Sequence, residues 1–245
     1  MKRKEQKEQT GVYIYGIHPI IELLTARRRQ LTRLYTTDPV PKAFNQIRAL
    51  LPNHVPISFV KREVLNTFAD TTDHQGFVGI TSPFQFRKKP FSPEKSPFLV
   101  LIDSVQDTRN LGGIIRSVHC TGAHGLVLAG RQSAPINNST AKASAGLIEH
   151  LEIYLAPTAY IAAQELKNAG YNLYLGALNG KDATTVDFKP PFCIVIGSEG
   201  KGISPEVLRL GEKVTLGQKT ADISYNASVA AGILLFLAAT KNRFI

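Results

Sequence analysis

Residues 98–116, FLVLIDSVQDTRNLGGIIR, constrain the fold more than any other stretch: an apolar run passes through an Asn-x-Gly loop into a helix that carries one arginine, Arg116. An unbroken apolar run of this length suits a strand covered on both faces. Two later segments repeat the plan. IVIGSEGKGIS, 194–204, is again an apolar strand spilling into a glycine loop, this time with Glu199. ADISYNASVAA, 221–231, is a polar Ser-x-Asn-x-Ser turn that starts an apolar helix. Glycine lets backbone approach a ligand closely, and helix N-termini offer unpaired N–H groups. Three such loops can build one site.

The rest of the chain sets these loops in an α/β frame. After residue 97 the pattern predicts strands at 98–102, 126–128, 173–176 and 192–196. Helices are predicted at 113–120, 140–145, 159–168, 205–210 and from Ser228 onward. Continuous apolar strands separated by helices imply a mostly parallel sheet covered on both faces. Before residue 82, short β-rich runs (31–35, 57–60, 77–80) alternate with helical patterns (19–25, 42–51, 62–68), which predicts a small α/β domain. Between them SPFQFRKKPFSPEKSP, with four prolines and a basic run, reads as a linker. The expected division is an N-terminal domain over 1–82, a linker over 83–97 and a second domain over 98–245, with no internal repeat.

Charge and composition narrow the partners. Residues 1–96 hold sixteen Lys or Arg against eight Asp or Glu, whereas 97–245 hold thirteen against eleven. A positive field concentrated in one part favours phosphate polyanions, hence nucleic acid, although a soluble lysine-rich surface gives the same count. The hydrophobic share of 43% is enough for packed cores. Cys120 and Cys193 stand alone in apolar sequence, which argues against a disulfide framework or zinc site and for a reducing cytoplasm. The opening MKRKEQKEQT lacks the apolar region of a secretory signal. The apolar run 229–239 is far short of the ~20 residues that span a bilayer. His119 and His124, five apart, do not share a helix face, so no metal site is expected.

In order and wording, the three loops resemble the SpoU/TrmH family of RNA ribose 2′-O-methyltransferases in the SPOUT superfamily. Asn110, Gly112 and Arg116 match its N-x-G-x-x-x-R motif. Gly197, Glu199, Gly200 and Gly202 match the second motif, and Ser224, Asn226 and Ser228 with VAAGILL match the third. YIYGIHPIIELL (13–24), HQGFVGI (74–80) and KASAGLIEH (142–150) are similar to members with an extra N-terminal RNA-binding domain. The resemblance implies a SPOUT-type mostly parallel sheet with a C-terminal trefoil knot, an N-terminal domain like a ribosomal-protein RNA-binding fold, and a homodimer. It also implies S-adenosyl-L-methionine as cofactor, held largely through the backbone of Gly197, Leu216 and Tyr225. The chain departs from the family where Leu216-Gly217-Gln218 replaces Ile-Pro-Met and where Ser224-Tyr225-Asn226 replaces Ser-Leu-Asn, which makes the cofactor loop more flexible and more polar.

The catalytic set implied by the resemblance is Asn110, Arg116, Glu199, Ser224 and Asn226, and each has an ordinary structural alternative. Arg116 can be a solvent-facing helix residue. As a catalytic group it would orient the ribose and stabilise oxyanion charge rather than remove a proton, because a guanidinium is a donor with no basic lone pair to offer. Asn110 can be a turn residue or helix cap. Glu199 can be a solvated loop carboxylate, or can position Arg116 by a bidentate pair. Ser224, Asn226 and Ser228 are preferred N-cap types. The loop GSEGKG is not a phosphate loop, since only three positions separate Gly197 from Lys201. The loop after Ile102 also lacks a dinucleotide fingerprint. The expectation is a cytoplasmic RNA 2′-O-methyltransferase acting on a guanosine of large-subunit rRNA. A tRNA methyltransferase, or a catalytically silent RNA-binding or ribosome-assembly factor on the same fold, remains open.

Overall fold

The computed structural model describes residues 12–130, 133–219 and 224–245; the opening MKRKEQKEQT and the first three residues of ADISYNASVAA lie outside them. The chain runs β1 (Val12–Tyr15), α1 (Ile17–Ala26), β2 (Leu31–Thr36), α2 (Phe44–Leu50), β3 (Ile57–Phe59), α3 (Arg62–Ala69) and β4 (Phe77–Thr81). It continues with β5 (Phe98–Asp103), α4 (Thr108–Cys120), β6 (Gly125–Ala129), α5 (Asn138–Ala143), β7 (Ile153–Ala156) and α6 (Ala159–Asn168). The last elements are β8 (Asn172–Asp182), β9 (Phe192–Gly197), β10 (Glu212–Thr215) and α7 (Ala227–Lys241). Two compact units result: residues up to Gln85 with Ile136–His150, and Phe86–Pro135 with Leu151–Ile245.

In the first unit the sheet order is β1-β4-β2-β3, with β4 antiparallel to both β1 and β2 and β3 parallel to β2. Leu65 and Ala69 of α3 pack on Tyr15 and Val78, and Tyr13 stacks on Phe68 with ring centroids 5.2 Å apart. His74 is buried and accepts the Gly76 amide at Nδ1, so its proton sits on Nε2, which donates to Asn66 Oδ1. Burial lowers its pKa, in keeping with a neutral ring.

The sequence places 136–150 inside the second domain, but in the structure it belongs to the first unit. Ion pairs explain why. Arg29 grips Glu149 with both forks (Nη2–Oε1 2.5 Å, Nε–Oε2 3.0 Å), and His150 meets Glu22 at 2.7 Å. Lys142 donates to Gln75 Oε1 at 2.8 Å. Glu149 is buried, so losing Arg29 would strand its charge, a change that costs several kcal/mol as a rule (~3–5).

The second unit is built on a six-stranded, wholly parallel sheet ordered β10-β8-β9-β5-β6-β7. Every residue of β5, β6 and β9 is buried, which accounts for their apolar runs. The edge strands β7 and β10 escape the sequence pattern for a physical reason: edges carry exposed and charged residues, here Glu212 and Lys213. The predicted strand 173–176 extends to Asp182, and the predicted helix 205–210 is a single 3-10 turn, Val207–Arg209. The proline-rich stretch is coil, yet its second half is anchored. Arg87 bridges to Tyr154 and lies over Phe91, whose buried ring occupies the space above Gly125.

Helix α4 begins at Thr108, not Gly113, so the Asn-x-Gly element is helix rather than loop. Asp107 caps it, accepting from the Arg109 and Asn110 amides. Gly113 is tolerated inside the helix because α7 packs there; a Cβ at Gly113 would sit 3.0 Å from Ser228 Cβ. Gly232 faces Ser117 in the same way one turn on, so α4 and α7 run side by side in the same direction. Among the described residues, no helix is long and apolar enough to cross a membrane.

Candidate active site

The carboxyl ends of β5 and β9 lie side by side, Asp103 opposite Gly197. From β5 the chain builds outward through β6 and β7, while β9 and β8 lie on its other side. A crevice at such a reversal is where open parallel sheets take ligands. Each of the three sequence loops ends there.

Asn110 on the first turn of α4, Glu199 in the loop after β9, and Asn226 before α7 form one hydrogen-bonded cluster. Asn110 Nδ2 donates to Glu199 Oε1 at 2.7 Å, and Asn226 Nδ2 donates both to the same oxygen and to Asn110 Oδ1, the latter at 3.1 Å. Asn226 Oδ1 meanwhile caps α7, accepting from the Ser228 amide at 2.9 Å and its hydroxyl at 2.7 Å. Asn226 thus caps α7 with its Oδ1 and joins the cluster with its Nδ2. Glu199 Oε2 has no partner among the described residues. The expected pair between Glu199 and Arg116 is not formed. Arg116 is exposed on α4 and makes no hydrogen bond or ion pair with any described residue. Arg109, seven residues earlier, shares its stripe of the helix and is exposed as well.

The Glu199 loop is shaped by close packing. Ser198 and Gly202 exchange backbone hydrogen bonds of 3.1 and 2.9 Å, and a Cβ on Gly197 would sit 2.2 Å from the Gly202 carbonyl carbon. Its returning arm is fixed by Asp103, a residue the sequence reading missed. Asp103 is 1% exposed; its Oδ2 accepts the Ser204 amide at 2.8 Å and its Oδ1 the Ser104 hydroxyl at 2.8 Å. Its signal was available: a carboxylate closing an otherwise apolar buried strand requires partners.

Beside the cluster opens a cleft of about 490 Å³, lined by Gly197, Glu199, Leu216, Gln218, Ser224 and Tyr225 among others. This is within the range that encloses a small organic ligand. All three expected cofactor residues line it, and so do two of the expected catalytic ones, Glu199 and Ser224. Asn110, Arg116 and Asn226 are not in its lining. Tyr225 reaches across the 216–219 segment, its hydroxyl donating to the Gly217 carbonyl at 3.2 Å. Among the described residues no His, Cys, Asp and Glu side chains group so as to hold a metal ion.

The parallel sheet, the crevice at its reversal and the amide-held carboxylate beside it define an α/β enzyme with a small-ligand cleft. The chain belongs to the SpoU rRNA Methylase family, whose profile matches residues 97–236, and the profile for RNA 2′-O ribose methyltransferase substrate binding matches residues 13–87. It is 31% identical over 95% of its length to a Synechocystis protein described as an uncharacterized tRNA/rRNA methyltransferase, of which it spans 63%. It is 30% identical to YacO of Bacillus subtilis, named for the TrmH family of tRNA/rRNA methyltransferases, over 91% of this chain and 93% of that one. The crystal structure of an AdoMet-bound rRNA methyltransferase from Sinorhizobium meliloti superposes with a TM-score of 0.77 at 25% identity, covering 94% of this chain and 87% of the other. The chain is therefore a member of the SpoU/TrmH class of RNA methyltransferases, and S-adenosylmethionine is the ligand bound in that Sinorhizobium meliloti structure. The cleft fits that cofactor. Glycine-rich backbone offers close hydrogen-bonding groups, and Leu216 and Leu234 offer apolar surface.

Proposed function

We propose that this protein methylates a ribose 2′-hydroxyl in RNA, with a guanosine of large-subunit rRNA the leading target, and that it works in the cytoplasm as a homodimer. The observation that carries the reading is the Asn110–Glu199–Asn226 cluster at the edge of the cofactor cleft. The cofactor supplies an activated, electrophilic methyl group. The chain must then align the hydroxyl and manage its proton. Two amides hold Glu199 Oε1, leaving Oε2 to accept a hydrogen bond and then the proton from the ribose hydroxyl. Arg116 offers its planar fork to a phosphate or to the developing oxyanion. Its lack of a partner among the described residues supports a role towards substrate.

The dimer proposal rests on α7. Val229, Ile233 and Phe236, at helical spacing, expose an apolar stripe on a helix without a charge before Lys241. The C-terminal trefoil knot belongs to this proposal as well, implied by family membership. The test is to map 2′-O-methyl positions in rRNA from cells with and without the protein. One guanosine of large-subunit rRNA should lose its mark; an unchanged rRNA map with a tRNA site lost would transfer the substrate to tRNA. No loss in either would leave the fold without this activity.

A further inference from the structure

Two phenylalanines stand out from the surface, each 56% exposed: Phe236 on α7 and Phe59 on β3. Their surroundings differ in charge, and charge decides what each can meet. Phe236 sits in a helix without a charge before Lys241 and suits a protein face. Phe59 lies on the edge strand of the first unit, its ring 6.3 Å from that of Phe44 at 44°. From Pro39 to Arg62 there is no Asp or Glu, yet there are Lys42, Arg48, Lys61 and Arg62. Lys42 is two residues from Phe44, Arg48 is one helical turn beyond it on α2, and Lys61 is two residues past Phe59. All three are exposed, and none of their side chains makes a hydrogen bond or ion pair with a described residue. Arg62 by contrast is engaged with the Thr72 carbonyl.

We infer that Phe59, backed by Phe44, is a stacking platform for an unpaired base of single-stranded RNA, with Lys42, Arg48 and Lys61 meeting the flanking phosphates. An exposed aromatic face takes any base, and nearby unpaired cations track the backbone; together these are what single-strand binding needs. A purely apolar partner would leave the three cations without a counterpart. The inference rests on the reading of the protein as RNA-directed and goes beyond it by naming the surface and the strandedness of the RNA.

The test is fluorescence anisotropy of the full chain with a labelled oligoadenylate of about ten nucleotides and with a duplex of equal length. Phe59→Ala should weaken oligoadenylate binding by about fivefold or more, with little change for the duplex. Phe59→Trp should bind as well as wild type, and Phe59→Leu should resemble Phe59→Ala, because leucine keeps apolar volume without a π face. Arg48→Ala or Lys61→Ala should reduce the salt slope by about 0.7 per lost phosphate contact, whereas Phe59→Ala should leave it unchanged. Wild-type binding by Phe59→Leu, equal loss for both RNAs, or a change in sedimentation with unchanged RNA affinity would overturn the inference. Calorimetric titration with S-adenosylmethionine separates the two levels. If the wild type failed to bind it, the proposed reaction would fall while the RNA result stood on its own.

Discussion

The glycine loop on one side of the cleft is tied at several points, whereas the 216–219 segment that lines it too is tied, among the described residues, by one hydrogen bond. Glu199 is held by two asparagine amides, the loop closes on itself between Ser198 and Gly202, and Asp103 fixes its return at Ser204. In that segment, Gly217 has no described atom within 4 Å of where a Cβ would stand, and among the described residues the Tyr225 hydroxyl is the side chain that hydrogen-bonds its carbonyl. Chemistry and cofactor entry make different demands. Proton transfer requires atoms fixed to a fraction of an ångström, while a cofactor that enters and leaves every turnover is served by a wall that can yield.

The comparison is broken most severely at the chemistry. Glu199→Gln keeps an oxygen for both amides but turns the free position from acceptor to donor. Methyl transfer should then fall by about a hundredfold or more, roughly 2.7 kcal/mol of transition-state stabilisation, with cofactor affinity within a few-fold of wild type. Arg116→Ala should lose a similar factor, and Arg116→Lys should not rescue it, since a point charge cannot reproduce the fork. Single-turnover kinetics on an RNA substrate reads both. Activity within about tenfold of wild type for either variant would remove that residue from the reaction.

The next largest effect lies in the supports of the fixed wall. Asp103→Ala deprives the part-buried Ser204 amide of its charged acceptor, at a cost of about 1–3 kcal/mol, and frees the arm that carries Glu199. Gly197→Ala would drive a methyl group into the Gly202 backbone and should cost a comparable amount through forced displacement of the loop. A merely structural support would lower the melting temperature and leave the turnover of the folded enzyme intact. A positioning role predicts a fall in kcat at saturating cofactor as well, and Asp103→Asn, which can still accept from Ser204, should recover most of it. Intact kcat in Asp103→Ala would mean that the two amides alone locate Glu199.

Much of this contrast was legible in the sequence, and what was not has identifiable causes. The apolar runs of β5 and β9 announced the parallel sheet because both faces are covered. The edge strands β7 and β10 were silent because an edge need not be apolar. The three loops could be recognised one by one, but Asn226 acting as cap and clamp together, or Glu199 turning to amides instead of Arg116, depends on distances between segments 27 to 116 residues apart. The docking of 136–150 on the first unit was hidden for the same reason: Arg29 and Glu149 lie 120 residues apart, and neither looks unusual alone.

The smallest expected effect is on the yielding wall, and it tests the contrast most finely. Tyr225 is 42% exposed, so its ring contributes little buried area, and its hydroxyl is what reaches Gly217. Removing that hydroxyl in Tyr225→Phe deletes one partly solvated hydrogen bond, worth about 0.5–1.5 kcal/mol, so S-adenosylmethionine should bind about two- to tenfold more weakly while kcat at saturation stays unchanged. Tyr225→Leu, which restores the commoner residue of the resembling family, should behave like Tyr225→Phe. The remedy should come from the backbone. Gly217 has open space for a methyl group and no positive φ, so Gly217→Ala in the Tyr225→Phe background should recover part of the loss by about 0.4–1 kcal/mol through a less flexible segment. Calorimetric titration of the two single variants and the double variant decides it. If Gly217→Ala weakens binding further, the segment must move to admit the cofactor, and its looseness is then a requirement of entry rather than a cost that Tyr225 offsets.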